Sequence, residues 1–358
     1  MFSSLHSSGI RLLERYFRTD IRYLLGGSFW LSASSLVGIG VAFFLSILYA
    51  RYLPKDIYGN YRYVLSLVSI AGVLSLPGLG TAITRAVARG LPGTFRNCAR
   101  IIFLSSFGIS IICLVTALLL YTRGNKETAL GLVIASIIVP FVEGMGSWRA
   151  YLDGKKDFKK KTIWNAIVHG VYGIAMTAII ATIYIFKTNT LISIALLVGT
   201  YLLAHALPNI IFFFMTRKTI APNAPSDADA IPYGLHLSLS GVPATIATYL
   251  DSVLLFHFLG PAHLAIYSFA IAVPEQLKRL FTNISDVTFP KLAAFQRSSF
   301  NDQQHIKKIL PPKLFKASLI TSFIIIVYIA VAPLLYSFFF PRYVESIPLS
   351  QIFALSLR

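Results

Sequence analysis

Charge is scarce in this chain. Charged residues make up 13% of 358 positions, about half the roughly 25% typical of a soluble domain. A soluble fold is thereby excluded. Acidic residues are scarcer still: 14 Asp and Glu stand against 32 Lys and Arg, a formal net charge of +18. There are two cysteines, Cys98 and Cys113, whose number and spacing fit neither a disulfide framework nor a thiolate metal site. No GxxxxGK[ST] loop is present, so the chain carries no nucleotide-driven motor of its own. The seven histidines form no HExxH pair and no Cys/His cluster, so no metal site is expected.

What fills the space is apolar. Hydrophobic residues account for 56% of the chain, in segments at about 27–50, 61–84, 101–121, 129–150, 162–186, 191–215, 235–259, 261–282, 317–340 and 347–357. A bilayer core needs about 20 apolar residues per helix, so the pattern predicts an all-α polytopic membrane protein. Lys and Arg crowd alternate gaps. Arg85, Arg89, Arg96 and Arg100 share one side with Arg149, Lys155, Lys156, Lys159, Lys160 and Lys161, and with Lys278, Arg279 and the basic residues of 291–316. Cytoplasmic loops accumulate cations, so the N-terminus is expected on the cytoplasmic side. The same rule accounts for the +18 without nucleic acid. Residues 1–26, with Arg11, Arg15, Arg18 and Arg22 among apolar neighbours, fit an amphipathic segment lying on the cytoplasmic leaflet. Outer gaps are all short, so no extracytoplasmic domain is expected.

An internal repeat divides the chain. A shift of 206 residues lays Ser238, Gly241, Thr248 and Ser252 over Ser32, Ser35, Ala42 and Ser46, then Leu259 over Leu53 and Tyr267 over Tyr61. The small residues recur at steps of three and four, which makes one stripe on each helix. In a membrane such a stripe faces other helices or a wet cavity. An even number of spans separates the copies, so the repeat is parallel, a transporter arrangement. The expected organisation is a six-helix bundle at 27–215, a Pro/Asn/Ser/Asp-rich cytoplasmic linker at 216–234, and a second bundle at 235–358 that is incomplete by the measure of the first.

Ionisable residues inside spans are costly and tend to be functional. Asp251, near Thr245, Thr248 and Ser252, reads as an ion-coupling or gating carboxylate or as one end of a static salt bridge. Glu143, a second ion-coupling or gating candidate, lies among Pro140, Gly144 and Gly146, where the helix should bend, and Arg149 follows beside Trp148. Glu275, a third such candidate, stands four residues from Arg279 and can instead pair with it along the helix. Arg62, Arg85, Arg149, Lys278 and Arg279 form a candidate route for an anionic group, because guanidinium forks match phosphate. The bland alternative for each is snorkelling at an interface.

The stretch GGSFWLSASSLVGIGVAFFLSILYARYLPKDIYGNYRYVLSLVSI resembles the start of Wzx-type polysaccharide and O-antigen flippases of the multidrug/oligosaccharidyl-lipid/polysaccharide exporter superfamily. YLDSVLLFHFLGPAHLAIYSFA and LKRLFTNISDVTFPKLA are similar to that family's seventh-to-eighth span region. The resemblance implies a MATE-like pair of bundles around a central cavity, with the second bundle truncated here. It implies alternating access that moves an undecaprenyl-diphosphate-linked oligosaccharide from the inner to the outer leaflet of a prokaryotic inner membrane, driven by a H+ or Na+ gradient, with no bound cofactor. Asp251 falls where the family commonly carries an acidic residue. The polymerase and chain-length regulator of a lipopolysaccharide-type pathway are implied as partners. A drug/cation antiporter would call for a cavity dominated by carboxylates. A membrane-embedded polymerase would call for a large outer loop or an acidic metal motif. Neither pattern is present.

Overall fold

The computed structural model describes the backbone of residues 21–295 and 300–356, and side chains of residues 30, 33–278, 318–319 and 321–356. No strand occurs among the described residues, and the chain is an all-α polytopic membrane protein. Its helices are α1 (Ile21–Tyr52), α2 (Lys55–Ala71), α3 (Gly78–Ala88), α4 (Thr94–Thr122), α5 (Lys126–Glu143), α6 (Trp148–Gly154), α7 (Phe158–Phe186), α8 (Thr190–Lys218), α9 (Ala230–Leu259), α10 (Pro261–Phe295), α11 (Phe300–Phe339) and α12 (Ile347–Leu355). Residues 1–20 of the expected amphipathic segment lie outside the described residues.

Seven described helical stretches are long and apolar enough to cross a membrane, or eight if the bent α2/α3 pair is one span. Large apolar side chains point outward along them, among them Leu118, Ile137, Ile174, Leu239, Phe258 and Leu334. That surface is untenable in water and is the surface a bilayer requires. Helix ends follow local chemistry. Asn125, Asp157 and Asn189 cap α5, α7 and α8 by accepting from the amides of Thr128, Lys160 and Ile192. Gly260, at φ +85°, ends α9 in a backbone form open to glycine, and Pro261 starts α10.

Two spans break. The segment expected as one helix over 61–84 ends at a 3₁₀ turn, Gly72–Ser75, and restarts at Gly78 after a 49° bend. Pro77 has no amide to continue the helix and restricts the residue before it. Leu76 takes a left-handed conformation there, at φ +57°. The second break follows Pro140, where α5 stops at Glu143 and α6 begins at Trp148.

The described structure forms two compact units, Val37–Ser268 and Met1–Leu36 with Phe269–Arg358. In the first, Leu79, Ile83, Phe95, Trp148, Trp164, Phe212, Ile220 and Ala230 share one buried core. Trp164 and Phe212 stack at 4.4 Å, and Trp148 meets Trp164 edge-on at 5.4 Å. The segment expected as a linker at 216–234 is fastened to this unit. Arg96 donates to the Ile220 carbonyl at 2.5 Å, Gly93 N donates to the Pro225 carbonyl at 2.9 Å, and Asp227 N donates to Thr94 Oγ1 at 2.8 Å. In the second unit Tyr336, fully buried, donates to the Phe269 carbonyl at 2.7 Å, and its oxygen lies 3.0 Å from Ser350 Oγ, which folds α12 back on α11.

The stripe of small residues on α9 is buried at its ends, Ser238 and Ser252, and exposed at Gly241 and Thr248. Near its start α9 meets α3 at backbone distance. Ser238 Oγ accepts from Gly78 N at 2.9 Å. A Cβ on Gly234 would lie 2.6 Å from Leu79 Cδ2 and 2.9 Å from its Cα, whereas one on Gly241 meets nothing within 4 Å. Gly234→Ala should therefore cost about 1–3 kcal/mol by overpacking and Gly241→Ala almost nothing. Melting temperatures of the two variants in detergent check this contrast.

Candidate functional site

The two broken spans face each other across a cavity of about 750 Å³ within the Val37–Ser268 unit. Ser75, Pro77, Gly80, Thr81 and Thr84 line it from the α2/α3 break, and Val142, Glu143, Gly146, Ser147, Arg149, Ala150 and Asp153 from the α5/α6 break. Ile102 of α4, Lys161 of α7 and Tyr201, His205 and Asn209 of α8 complete the wall. Irregular backbone at membrane depth is tolerated where it lines a polar cavity or is buried in protein. Both conditions hold here.

The break in α5/α6 is fixed by side chains. Asn209 is 2% exposed. Its Nδ2 donates to the Val142 carbonyl at 2.9 Å, and its Oδ1 accepts from Trp148 Nε1 at 3.2 Å, so one side chain clasps both sides of the gap. Thr84 Oγ1 donates to the Ala150 carbonyl at 3.0 Å and ties α3 to α6. Arg149 lies over the Trp148 ring at 4.5 Å and donates from Nε to Asn165 Oδ1 at 3.0 Å. Arg149 also lines the cavity. Ser147 Oγ is buried and has no hydrogen-bond partner among the described residues. No side-chain hydrogen bond or ion pair within 4 Å engages the Glu143 carboxylate among the described residues.

At the end of the cavity nearest the basic run, Lys161 Nζ bonds both oxygens of Asp153, at 2.6 and 2.7 Å. The turn between α6 and α7 sets this register. Lys156 adopts φ +58°, Asp157 N donates to the Leu152 carbonyl at 3.0 Å, and the Asp157 side chain then caps α7. Lys155 and Lys160 instead lie over aromatic rings, those of Tyr151 at 5.7 Å and Trp164 at 4.7 Å. His205 Nδ1 contacts the Tyr201 carbonyl at 2.8 Å. A carbonyl only accepts, so Nδ1 carries a proton and donates it.

Of the residues singled out in the sequence, Glu143 and Arg149 line the cavity. Arg62 belongs to an adjoining aromatic cluster, where its charge acts on Tyr58, Tyr172 and Tyr201. Tyr201 is shared, lining the cavity while meeting Tyr172 at 5.5 Å and Tyr61 at 6.2 Å. Arg85 does not line the cavity and lies over the Tyr233 ring at 4.5 Å. Asp251 is likewise not in the cavity wall. It accepts from Ser252 N at 2.6 Å and from the Tyr267 hydroxyl. Glu275 is half-buried and Lys278 exposed, both in the other compact unit. The side chain of Arg279 lies outside the described residues. Among the described residues no three of His, Cys, Asp or Glu are grouped to hold a metal.

Sequence reasoning did not single out Asp153, Lys161, Ser147, Tyr201 or Asn209. Asp153 offered a signal, as an acidic residue beside a run of lysines, and Asn209 offered another, as an amide within an apolar span.

Asn209→Leu should leave the Trp148 N–H and the Val142 carbonyl unsatisfied at a cost of about 2–4 kcal/mol. The expected outcome is a lowered melting temperature in detergent together with a shifted tryptophan emission maximum.

The family model described as polysaccharide biosynthesis protein matches residues 24–296. No curated protein and no solved structure matches the chain.

Proposed function

The chain belongs to the polysaccharide biosynthesis protein family, and on that footing we propose that it is a flippase for polyprenyl-diphosphate-linked oligosaccharide. It moves the cargo from the cytoplasmic to the outer leaflet by alternating access during cell-surface polysaccharide synthesis. The observation that carries this reading is the composition of the cavity wall. Ser75, Thr81, Thr84, Ser147, Tyr201 and Asn209 offer hydroxyls and an amide suited to sugar, and Arg149 offers a forked donor suited to phosphate. The volume, about 750 Å³, lies in the range of ligand pockets. It suits a diphosphate with its first sugars while the polyprenyl tail stays in lipid.

In this reading no covalent bond changes and no nucleophile is required. The unpartnered Ser147 hydroxyl supplies a hydrogen bond that only cargo or solvent completes. Arg149, steadied by Trp148 and Asn165, is pre-ordered, so little side-chain entropy is lost when phosphate binds. Arg62 lies one aromatic layer from the cavity, within electrostatic reach of Tyr201, and draws the anion onward. Asp251, with its neutral partners Tyr267 and Ser252, is the carboxylate assigned to H+ or Na+ coupling. The N-terminus is cytoplasmic by the positive-inside rule. Under that orientation the Lys155–Lys161 run faces the pool of newly made cargo.

The test is flipping of a fluorescent polyprenyl-diphosphate oligosaccharide in proteoliposomes. Arg149→Gln should slow it at least about tenfold, in line with the ~1.5–3 kcal/mol of a hydrogen bond to a charged group. Wild-type flipping by Arg149→Gln would remove the cavity from the transport path. Asp251→Asn should abolish stimulation by an imposed ion gradient at unchanged protein abundance, and full gradient response in that variant would withdraw the coupling assignment.

A further inference from the structure

The Asp153–Lys161 pair has no place in the transport scheme above, yet both residues line the cavity. We infer that Asp153 is a built-in competitor for the cargo's diphosphate, holding Lys161 in the resting cavity and surrendering it when a diphosphate lipid enters. The inference rests on the flippase reading and assigns a second phosphate ligand to the same site.

Three observations carry it. Lys161 Nζ engages both Asp153 oxygens at 2.6 and 2.7 Å, the two-oxygen contact that a phosphate group also offers an ammonium. The pair is neither sealed in nor free in solvent: the side chains are 18% and 30% exposed. A pair in that condition can exchange partners without leaving a charge dry, whereas breaking a fully buried pair strands one. Finally, Asp153 lies four residues after Arg149 on α6, so the two share a helix face one turn apart. A diphosphate held by both Arg149 and Lys161 therefore competes with the Asp153 carboxylate for the Lys161 ammonium.

Charge sharpens the argument. At rest Glu143 and Asp153 balance Arg149 and Lys161 among the ionisable groups of the wall. A diphosphate adds negative charge, and the carboxylate nearest the cation it takes is the one that must yield. Asp153 can yield by turning its side chain, which is 30% exposed, while α6 stays held by Thr84 and Asn209. Competition of this kind sets a threshold: a diphosphate displaces the carboxylate, whereas a group with less charge does not.

The test measures binding of two probes to the full chain in detergent by calorimetry, inorganic pyrophosphate and farnesyl diphosphate. Removing the competitor in Asp153→Asn should tighten both about tenfold, because like charge beside a ligand opposes its binding. Lys161→Gln should weaken both at least about fivefold. Wild-type affinity for both probes in Asp153→Asn overturns the inference and leaves the flippase reading intact. Absence of binding by wild type and Asp153→Asn alike overturns both. A response to pyrophosphate with none to farnesyl diphosphate also overturns it, by assigning the site to a free anion. Should Asp153→Asn fail to fold, Lys161→Gln decides, and unchanged affinity in that variant is the refuting result.

Discussion

A peptide group cannot be left unsatisfied in hydrocarbon. Each such group costs several kcal/mol, so a transmembrane helix is interrupted only where protein or a wet cavity meets the released amides and carbonyls. Both interruptions in the larger unit, at Ser75–Gly78 and at Glu143–Trp148, border the same cavity. Their partners are specific. Ser238 Oγ takes the Gly78 amide, and Asn209 takes the Val142 carbonyl while binding Trp148. The cavity and the breaks therefore sustain each other. Without polar walls the breaks would be intolerable, and without the breaks the walls would be continuous apolar helices.

The aromatic residues have a second use beside packing. Arg149, Arg85, Lys155 and Lys160 each lie over a ring, which holds a cation at low entropic cost without a counter-charge. A chain with few carboxylates has few other ways to steady so many cations. Lys161 departs from this habit in taking a carboxylate, and that departure is the reason it draws notice in the cavity.

Much of the architecture was legible. Helix positions follow from apolar length, and the break after Glu143 follows from Pro140, Gly144 and Gly146 in near succession. The break at Leu76–Pro77 falls inside the single span expected over 61–84, because composition does not reveal that Ser238, on a distant helix, waits to receive the Gly78 amide. Cations at span ends look alike in one dimension. Arg149 and Arg85 had the same credentials, and only the fold sends one to the cavity and the other to Tyr233. Lys161 was hidden among its neighbours in a basic run. Its role depends on the left-handed turn at Lys156, a conformation that lysine does not announce.

The segment between α8 and α9 has the composition of a tether, yet it is stitched at Ile220, Pro225 and Asp227 to the start of α4. A tether sets only how far two parts can stray, and its length can be altered freely. A stitched segment is scaffold. Extra residues inserted between Asp227 and Ala230 would shift the register of α9 against Leu79, whereas residues added at the exposed Ala221–Asn223 would bulge outward with the stitches on either side intact. The same few positions are thus the natural place to graft a reporter or a handle without disturbing the rest.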